Sequence, residues 1–246
     1  MSSIPRIFIT KEIIEGNTVR ITGSDAFHLL KVLRLRAGDH IIICNMKRTE
    51  FDGVISKVDG EDLFVTLGEG KICSSELPFE VTLYQGIPKG DKFDTIIQKS
   101  VELGVTSIVP VLCERCVSRP DDKAFAKKIE RLNKIASSAS SQCGRGIIPT
   151  VKTPVSYKKA CEEMQRDDLY FICYEGSETL HIKNFLEDKN PNKISFLIGP
   201  EGGLSSGETD IAIEHGIPLI GLGNRILRTE TASGFVLSVI SILLEK

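Results

Sequence analysis

The chain has 246 residues, of which 41% are hydrophobic and 26% are charged, and its formal net charge is −2. This composition is typical of a globular protein with one large or two modest domains, and the small net charge argues neither for nor against a nucleic-acid partner. No apolar run of 18 residues, signal peptide or transit pattern is present, so we expect a soluble, cytoplasmic protein with no membrane partner.

Residues 1–72 are predicted to form an all-β domain with one helical insertion. Short segments rich in β-branched or aromatic residues are separated by glycines, and in residues 63–67 apolar residues alternate with Phe64 and Thr66. This alternation suits a small closed barrel. The predicted strands are Arg6 to Thr10, Thr18 to Thr22, His40 to Asn45, Phe51 to Val58 and Leu63 to Leu67.

The helical insertion lies between the second and third of these strands. Ser24 or Asp25 can cap it. His28, Lys31 and Arg34 recur at steps of three, so the helix is expected to carry them on one flank. The leucines that can then face the barrel are Leu29, Leu30 and Leu33.

Charge is distributed unevenly in this domain. Residues 1–48 hold eight Lys or Arg against four acids, whereas residues 49–69 hold one lysine against six acids. The basic side is a candidate phosphate-binding surface, and the alternative is an ordinary solvated helix face. A second basic segment lies between Glu114 and Arg145. It too is either a phosphate-binding surface or an ordinary solvated helix face. The candidate surface of the small domain contains Arg6, Arg34, Arg36, Lys47 and Arg48.

From residue 73 onward, after a linker around Lys71 to Pro78, apolar runs alternate with helical patterns, which predicts a parallel sheet. One helix is amphipathic between Phe93 and Val101, and Gly104 can end it in a left-handed conformation. The other helices are predicted at 123–142, at 179–186 and from Glu230 onward. The predicted strands are Glu80 to Tyr84, Ser107 to Leu112, Leu169 to Tyr174, Ile194 to Ile198 and Ile217 to Leu222.

Two glycine-rich stretches follow the last two strands. Residues 198–203 read Ile-Gly-Pro-Glu-Gly-Gly, and residues 222–232 open the final helix, which Thr229 or Thr231 can cap. Loops at strand exits are where open α/β sheets bind ligands, and glycines let the backbone approach a ligand closely. We therefore expect one shared pocket. Its few charged residues are Glu175, Glu201, Arg225, Arg228 and Glu230.

Several common chemistries lack their motifs. No lysine follows residues 199–203 as a Walker loop requires, the dinucleotide fingerprint lacks its third glycine, and no G-x-S-x-G or H-E-x-x-H occurs. Cys113 and Cys116 form a C-x-x-C, but the seven cysteines are irregularly spaced and residues three apart in a strand face opposite ways. No metal is expected. From the residues alone, the pocket binds a mid-sized polar ligand.

Residues 197–205 and 222–232 resemble the C-terminal signature of the RsmE family, the small-subunit rRNA (uracil-N3)-methyltransferases of the SPOUT superfamily. Weaker matches at 6–8, 28–34, 88–92, 98–105 and 114–116 extend the resemblance over nearly the whole chain. One departure is Cys143, where a serine is more usual. The resemblance implies a PUA-like RNA-binding β-barrel over 1–72. It also implies a SPOUT α/β methyltransferase domain over 73–246, with a parallel sheet and a trefoil knot.

The activity that the resemblance implies is S-adenosylmethionine-dependent methylation of N3 of one uridine of 16S rRNA (uridine 1498 in the family), with the small ribosomal subunit as partner and a homodimer as the assembly. Arg228 would stabilise negative charge on the uracil, and Glu201 or Glu230 would accept the N3 proton. The implied cofactor-binding residues are Tyr174, Glu175, Leu197, Ile198, Gly199, Pro200, Gly202, Gly203, Leu222, Gly223, Ile226, Leu227 and Thr231. The implied RNA-binding residues are Arg6, His28, Lys31, Arg34, Arg36, Lys89, Lys92, Arg115, Gln142 and Arg145.

Alternatives stay open at this point. The chain could methylate another RNA or a ribose hydroxyl, or it could be a catalytically inactive RNA-binding protein. Arg228 could instead form a structural salt bridge with Glu230 or Glu201. The dimer is expected because the final helix has more apolar surface than one sheet face can cover, with small residues that permit close helix approach.

Overall fold

The computed structural model describes residues 4–9, 14–15, 17–117, 122–176 and 179–245, with the backbone alone at 14–15 and 122–124. The chain divides into two compact units. The first unit comprises Met1–Glu76 and Ser140–Ile148, and the second comprises Leu77–Ala139 and Pro149–Lys246. No helix among the described residues combines the length and apolar character that crossing a membrane requires.

The first unit is built on a six-stranded sheet. Its strands are β1 (Arg6–Phe8), β2 (Ile14–Glu15), β3 (Thr18–Ile21), β4 (His40–Cys44), β5 (Thr49–Asp59) and β6 (Asp62–Ile72). Their hydrogen-bonded order is β1-β4-β5-β6-β3-β2, and only β1 and β4 pair in parallel. Inward-facing side chains of these strands, with Ala26 and Leu29, form one apolar core.

The five predicted strands of this unit are confirmed, with different ends. The longest change is in β6, which continues to Ile72 because its second half pairs with the start of β5, where Thr49 lies opposite Ile72. Thr10, the predicted end of the first strand, lies outside the described residues. β2 was not predicted, since two residues carry no periodicity.

The helical insertion differs from the prediction. A short helix, α1 (Gly23–Phe27), leads into a π-helical turn at His28–Val32, where the Leu33 N–H donates to the His28 carbonyl at 3.0 Å. Because an i→i+5 bond widens the turn, steps of three no longer return to one flank. Arg34 lies beyond the turn with φ of 58°.

Two details of that helix prediction were therefore wrong. Leu29 is fully buried in the core, but Leu33 is 42% exposed instead of facing the barrel. The N-cap is Thr22, and it makes no side-chain cap bond, so neither Ser24 nor Asp25 has the predicted role.

A buried ion pair joins Ser140–Ile148 to the rest of the first unit. The Arg145 Nε and Nη2 atoms each donate to the Glu76 carboxylate at 2.8 Å, and the Gly146 and Ile147 N–H groups donate to the same carboxylate. The two charged side chains are only 2% and 3% exposed. The predicted domain limits of 1–72 and 73–246 did not anticipate this segment, because nothing local in the sequence links residue 76 to residue 145.

The second unit is a parallel sheet of eight strands, ordered β10-β8-β7-β13-β11-β14-β12 with β9 also on β8. All of its pairings are parallel. The strands are β7 (Glu80–Gly86), β8 (Ser107–Leu112), β9 (Thr150–Val151), β10 (Val155–Ser156), β11 (Leu169–Cys173), β12 (Leu180–His181), β13 (Lys193–Ile198) and β14 (Leu219–Gly221). The helices are α2 (Lys92–Glu102), α3 (Asp122–Cys143), α4 (Tyr157–Met164), α5 (Ile182–Leu186), α6 (Ser206–Glu214) and α7 (Thr229–Leu244), and the end of α3 from Ser140 onward belongs to the first unit.

The predicted strand–helix alternation of this unit is confirmed, and Gly104 ends α2 with φ of 94° as expected. The sequence missed α4, α6 and the short strands β9 and β10, and the predicted helix at 179–186 begins with β12 instead. In α6 the apolar residues 211–213 are consecutive rather than three or four apart, so no single face is marked. Its capping box, in which Ser205 and Glu208 bond each other's backbone, was the signal available.

Candidate active site

A cavity of about 720 Å³ lies at the carboxyl ends of β11, β13 and β14. The paired registers bring these strand ends together, since Ile198 lies opposite Gln85 and Ile172 lies opposite both Leu197 and Leu219. Three loops line most of it, at residues 173–176, 198–204 and 221–229. The structure therefore brings the two glycine-rich stretches into one pocket, at the sheet edge where such sheets bind ligands.

Most residues proposed from the sequence for cofactor binding line this cavity. Leu197 does not, because it is fully buried within β13, and Thr231 is exposed in the first turn of α7. Gly202 is also outside the lining; its carbonyl accepts a hydrogen bond from Arg115 Nη1 at 2.9 Å. The lining residues from that set are Tyr174, Glu175, Ile198, Gly199, Pro200, Gly203, Leu222, Gly223, Ile226 and Leu227.

Several glycines at this site are required by close approach or by backbone conformation. Gly203 has φ of 68°, and a Cβ there would lie 2.5 Å from Glu175 Oε1. At Gly86, at the end of β7, a Cβ would lie 2.5 Å from the Pro200 nitrogen. Gly199 differs, because its Cβ would make only an ordinary contact of 3.4 Å with Leu204. The requirement at Gly86 is steric, because the contact is with backbone, whereas at Gly203 it comes mainly from the positive φ. Gly176 and Gly221 are also crowded, with a Cβ 2.2 Å from Tyr174 Cε1 and 2.5 Å from Thr179 Oγ1.

The loops are joined by the hydroxyl of Thr229. It donates to the Gly199 carbonyl at 2.8 Å and accepts from Gln85 Nε2 at 2.8 Å. The predicted capping role of Thr229 or Thr231 was wrong, because Arg228 is the N-cap residue of α7 and no side chain caps the helix. Gln85 is fully buried and was missed; a polar residue ending an apolar strand was the available signal.

Lys92 forms ion pairs with Glu201 and Glu230, the two carboxylates that were proposed as proton acceptors. Its Nζ lies 3.1 Å from Glu201 Oε1 and 3.5 Å from Glu230 Oε2. Burial raises the pKa of Glu201, but hydrogen bonds from its own N–H, from Lys92 and from the Lys89 N–H together hold that pKa below its usual value. Glu201 is therefore an ionised, weak base that lines the cavity, whereas Glu230 lies outside the lining.

Arg228 and Arg225 both line the cavity with exposed side chains. Neither forms an ion pair within the part of the chain that the structure describes. The alternative of a salt bridge from Arg228 to Glu201 or Glu230 is not observed, because both carboxylates lie against Lys92. Glu175 is likewise exposed at the cavity and has no partner among the described residues.

The residues proposed for RNA contact are divided among several places. His28, Lys31, Arg34, Arg36 and Gln142 are exposed in the first unit, while Lys89 and Lys92 line the cavity of the second. For two residues of the proposed set, Arg6 and Arg145, the structure contradicts the predicted RNA contact. Arg6 Nη1 lies 2.8 Å from Glu50 Oε2 with its side chain 10% exposed, and Arg145 is the buried partner of Glu76, so neither presents a surface cation.

The C-x-x-C segment also differs from expectation. β8 ends at Leu112, so Cys113 and Cys116 lie in a turn closed by the Cys116 N–H and the Cys113 carbonyl at 3.1 Å. Their buried thiols hydrogen-bond each other, so the expectation that they face opposite ways was wrong. Across the described ranges, no group of three or more His, Cys, Asp or Glu side chains is arranged to hold a metal.

Comparison with known proteins identifies the family. A family model described as an RNA methyltransferase domain matches residues 75–241, and one described as an RNA methyltransferase PUA domain matches residues 21–68. Ribosomal RNA small subunit methyltransferase E of Bacillus subtilis (strain 168) is 38% identical over 241 residues, which cover 96% of this chain and 94% of that protein. The chain belongs to the RsmE family.

A second relative of the same name, from Buchnera aphidicola subsp. Acyrthosiphon pisum, is 35% identical over 94% of this chain and 90% of its own length. Among solved structures, an RsmE from Neisseria gonorrhoeae bound to S-adenosyl methionine has a TM-score of 0.87 and 30% identity, covering 98% of both chains.

These comparisons confirm the resemblance seen in residues 197–205 and 222–232. They also confirm the RsmE fold of an N-terminal PUA domain followed by a parallel-sheet α/β domain. The trefoil knot stays a prediction.

Proposed function

We propose that this RsmE-family chain transfers a methyl group from S-adenosylmethionine to N3 of one uridine in 16S rRNA of the small ribosomal subunit. The observation that carries the proposal is the cavity formed jointly by residues 198–204 and 221–229, whose lining includes Arg228 without an ion-pair partner among the described residues. Because the substrate would be ribosomal RNA, we infer that the chain acts in the cytoplasm.

The cavity fits the cofactor. Its volume of about 720 Å³ lies within the usual range for small-molecule sites, and its glycine-rich loops offer backbone groups to a nucleoside. The Glu175 carboxylate, which has no partner in the part of the chain that the structure describes, suits the ammonium group or the ribose hydroxyls. When bound, S-adenosylmethionine supplies a methyl group already activated by its sulfonium charge. The protein must then deprotonate and align the uracil.

Arg228 is the proposed catalytic residue. Uracil N3 carries a proton at neutral pH, and it becomes a nucleophile once that proton is lost. A guanidinium beside O2 or O4 stabilises the negative charge that develops and so favours loss of the proton. Of the two carboxylates, Glu201 is the better candidate to accept it, directly or through water, because it lines the cavity. The lowered pKa of Glu201 makes it a weak base, so deprotonation of uracil N3 depends more on charge stabilisation by Arg228.

The direct test is mass spectrometry of rRNA from cells that lack this gene and cells to which it has been restored. We expect an N3-methyluridine in 16S rRNA to disappear and return. Loss of a methylated ribose, or of a tRNA modification, would replace the proposal with another methyltransferase activity. If no modification changes while the purified chain binds RNA but not the cofactor, the chain is an RNA-binding protein.

Replacing Gly203 by valine should weaken cofactor binding at least tenfold. A left-handed conformation costs a residue with a side chain about 1–2 kcal/mol, and the added Cβ would also displace the Glu175 carboxylate, 2.5 Å away. Calorimetric titration with S-adenosylmethionine measures the effect. Gly207→Ala is the matched control, because its Cβ would meet only Ser205 Oγ at 4.0 Å. Equal affinity in a folded Gly203 variant would remove this loop from the cofactor site.

We also propose that the chain forms a homodimer through α7. Val236, Leu237 and Ile240 of α7 are buried within the second unit, yet Ile242 is 79% exposed and Phe235 is 36% exposed. Light scattering should give twice the chain mass of 27.1 kDa. Ile242→Asp should shift the protein toward the monomer, whereas Ile213→Asp, at a 62% exposed position of α6, should not. A wild-type monomer at micromolar concentration would contradict the dimer.

A further inference from the structure

The end of α1 and the turn that follows it expose three apolar side chains. Phe27 is 59% exposed, Val32 58% and Leu33 42%. The reason is local. The π-helical turn directs Leu29 into the core, so these three neighbours remain outside it. Within the described part of the chain, Phe235 is the other phenylalanine among the exposed large apolar residues.

Basic residues are interspersed with these apolar residues along the segment. His28, Lys31, Arg34 and Arg36 are exposed on the same segment, and none of them is ion-paired within the described ranges. Two acids lie nearby in the sequence, Asp25 and Asp39, and the Asp39 carboxylate is used by the Arg36 N–H at 2.7 Å. Residues 27–36 therefore expose a phenyl ring and three cations, Lys31, Arg34 and Arg36, none of which has an ion-pair partner among the described residues.

We propose that Phe27 stacks on an unpaired base of the RNA substrate while Lys31 and Arg34 contact the flanking phosphates. Sequence-specific RNA recognition uses bases splayed out from single strands, and an aromatic ring with cations on the same segment suits such a base. A protein partner would favour a continuous apolar patch, whereas here Lys31 stands in the sequence between Phe27 and Val32, and Arg34 directly follows Leu33. This inference rests on the proposed function, because it specifies how the RNA is held.

The two kinds of contact respond differently to salt. Stacking is not ionic, so Phe27→Ala should weaken RNA binding about 5- to 100-fold at every salt concentration without changing the salt dependence. Lys31→Ala and Arg34→Ala should each reduce the slope of log affinity against log salt by about one. Fluorescence anisotropy with a labelled 16S rRNA fragment measures both quantities.

A spectroscopic test detects the stack itself. The chain contains no tryptophan, so Phe27→Trp introduces one tryptophan at the proposed contact, whose emission can be excited apart from that of the four tyrosines. We expect the rRNA fragment to quench it strongly. The control is Val58→Trp, at a 37% exposed position of β5 outside residues 27–36, where little quenching is expected. Equal quenching in both variants, or unchanged affinity in Phe27→Ala, would overturn the proposal.

Two further readouts separate this inference from its alternatives. If the wild-type chain methylates rRNA but Phe27→Ala binds the fragment normally, the stacking contact fails while the proposed function stands. If wild-type chain does not bind the fragment, both fail. A change in the light-scattering mass of Phe27→Ala would instead assign the patch to contact with a second copy, and that result also overturns the proposal.

Discussion

Replacing Arg228 by lysine should reduce turnover at least about a hundredfold while leaving cofactor affinity nearly unchanged. Lysine keeps the positive charge but lacks the planar fork that can meet uracil O2 or O4 along two directions. The loss is on the scale of removing one transition-state donor. Single-turnover methylation of the rRNA, with cofactor affinity measured separately by calorimetry, separates the two effects.

Arg225 provides the matched control for that experiment. It lies in the same loop, lines the same cavity and is also unpaired among the residues that the structure describes. Arg225→Lys should change turnover less than about tenfold, because no transition-state contact is assigned to it. Equal losses in the two variants would indicate a general effect of charge geometry in the loop. Unchanged turnover in Arg228→Lys would remove Arg228 from the mechanism.

Replacing Glu76 by glutamine should destabilise the first unit by about 3–5 kcal/mol, the usual cost of breaking a buried ion pair. The Glu76 carboxylate accepts from two guanidinium nitrogens and from the Gly146 and Ile147 N–H groups. In glutamine, an amide nitrogen replaces one of the two carboxylate oxygens. That nitrogen is itself a hydrogen-bond donor, so it cannot accept from these N–H groups. Hydrogen exchange of the β4 and β5 amides reads the effect locally, and protection should fall more than a hundredfold.

The control for this stability test is a solvent-exposed pair. Lys193 and Glu80 lie 3.7 Å apart with side chains 56% and 57% exposed. Glu80→Gln should cost less than about 1 kcal/mol, because water already solvates both charges. If Glu76→Gln left exchange unchanged, Arg145 would not be the residue that ties Ser140–Ile148 to the first unit. It could then be reconsidered as an RNA contact.

The sequence by itself determined the parallel-sheet unit and the positions of its main strands. Ile194 to Ile198 and Ser107 to Leu112 were readable because a buried parallel strand is a continuous apolar run between turn residues. The two motif stretches also predicted one pocket, since carboxyl ends of parallel strands share an edge. The RsmE resemblance supplied the activity, which residue chemistry alone left at a polar ligand.

Only the tertiary structure decided which charged residues are available. Lys92 and Arg145 both read as RNA-binding cations, yet one bridges Glu201 and Glu230 and the other is buried against Glu76. Arg228 read as either catalytic or salt-bridged, and the structure leaves it unpaired among the described residues. These outcomes depend on contacts between residues tens to more than a hundred positions apart. Local periodicity carries no information about such contacts, because it reports which face of an element is apolar and not which element that face meets.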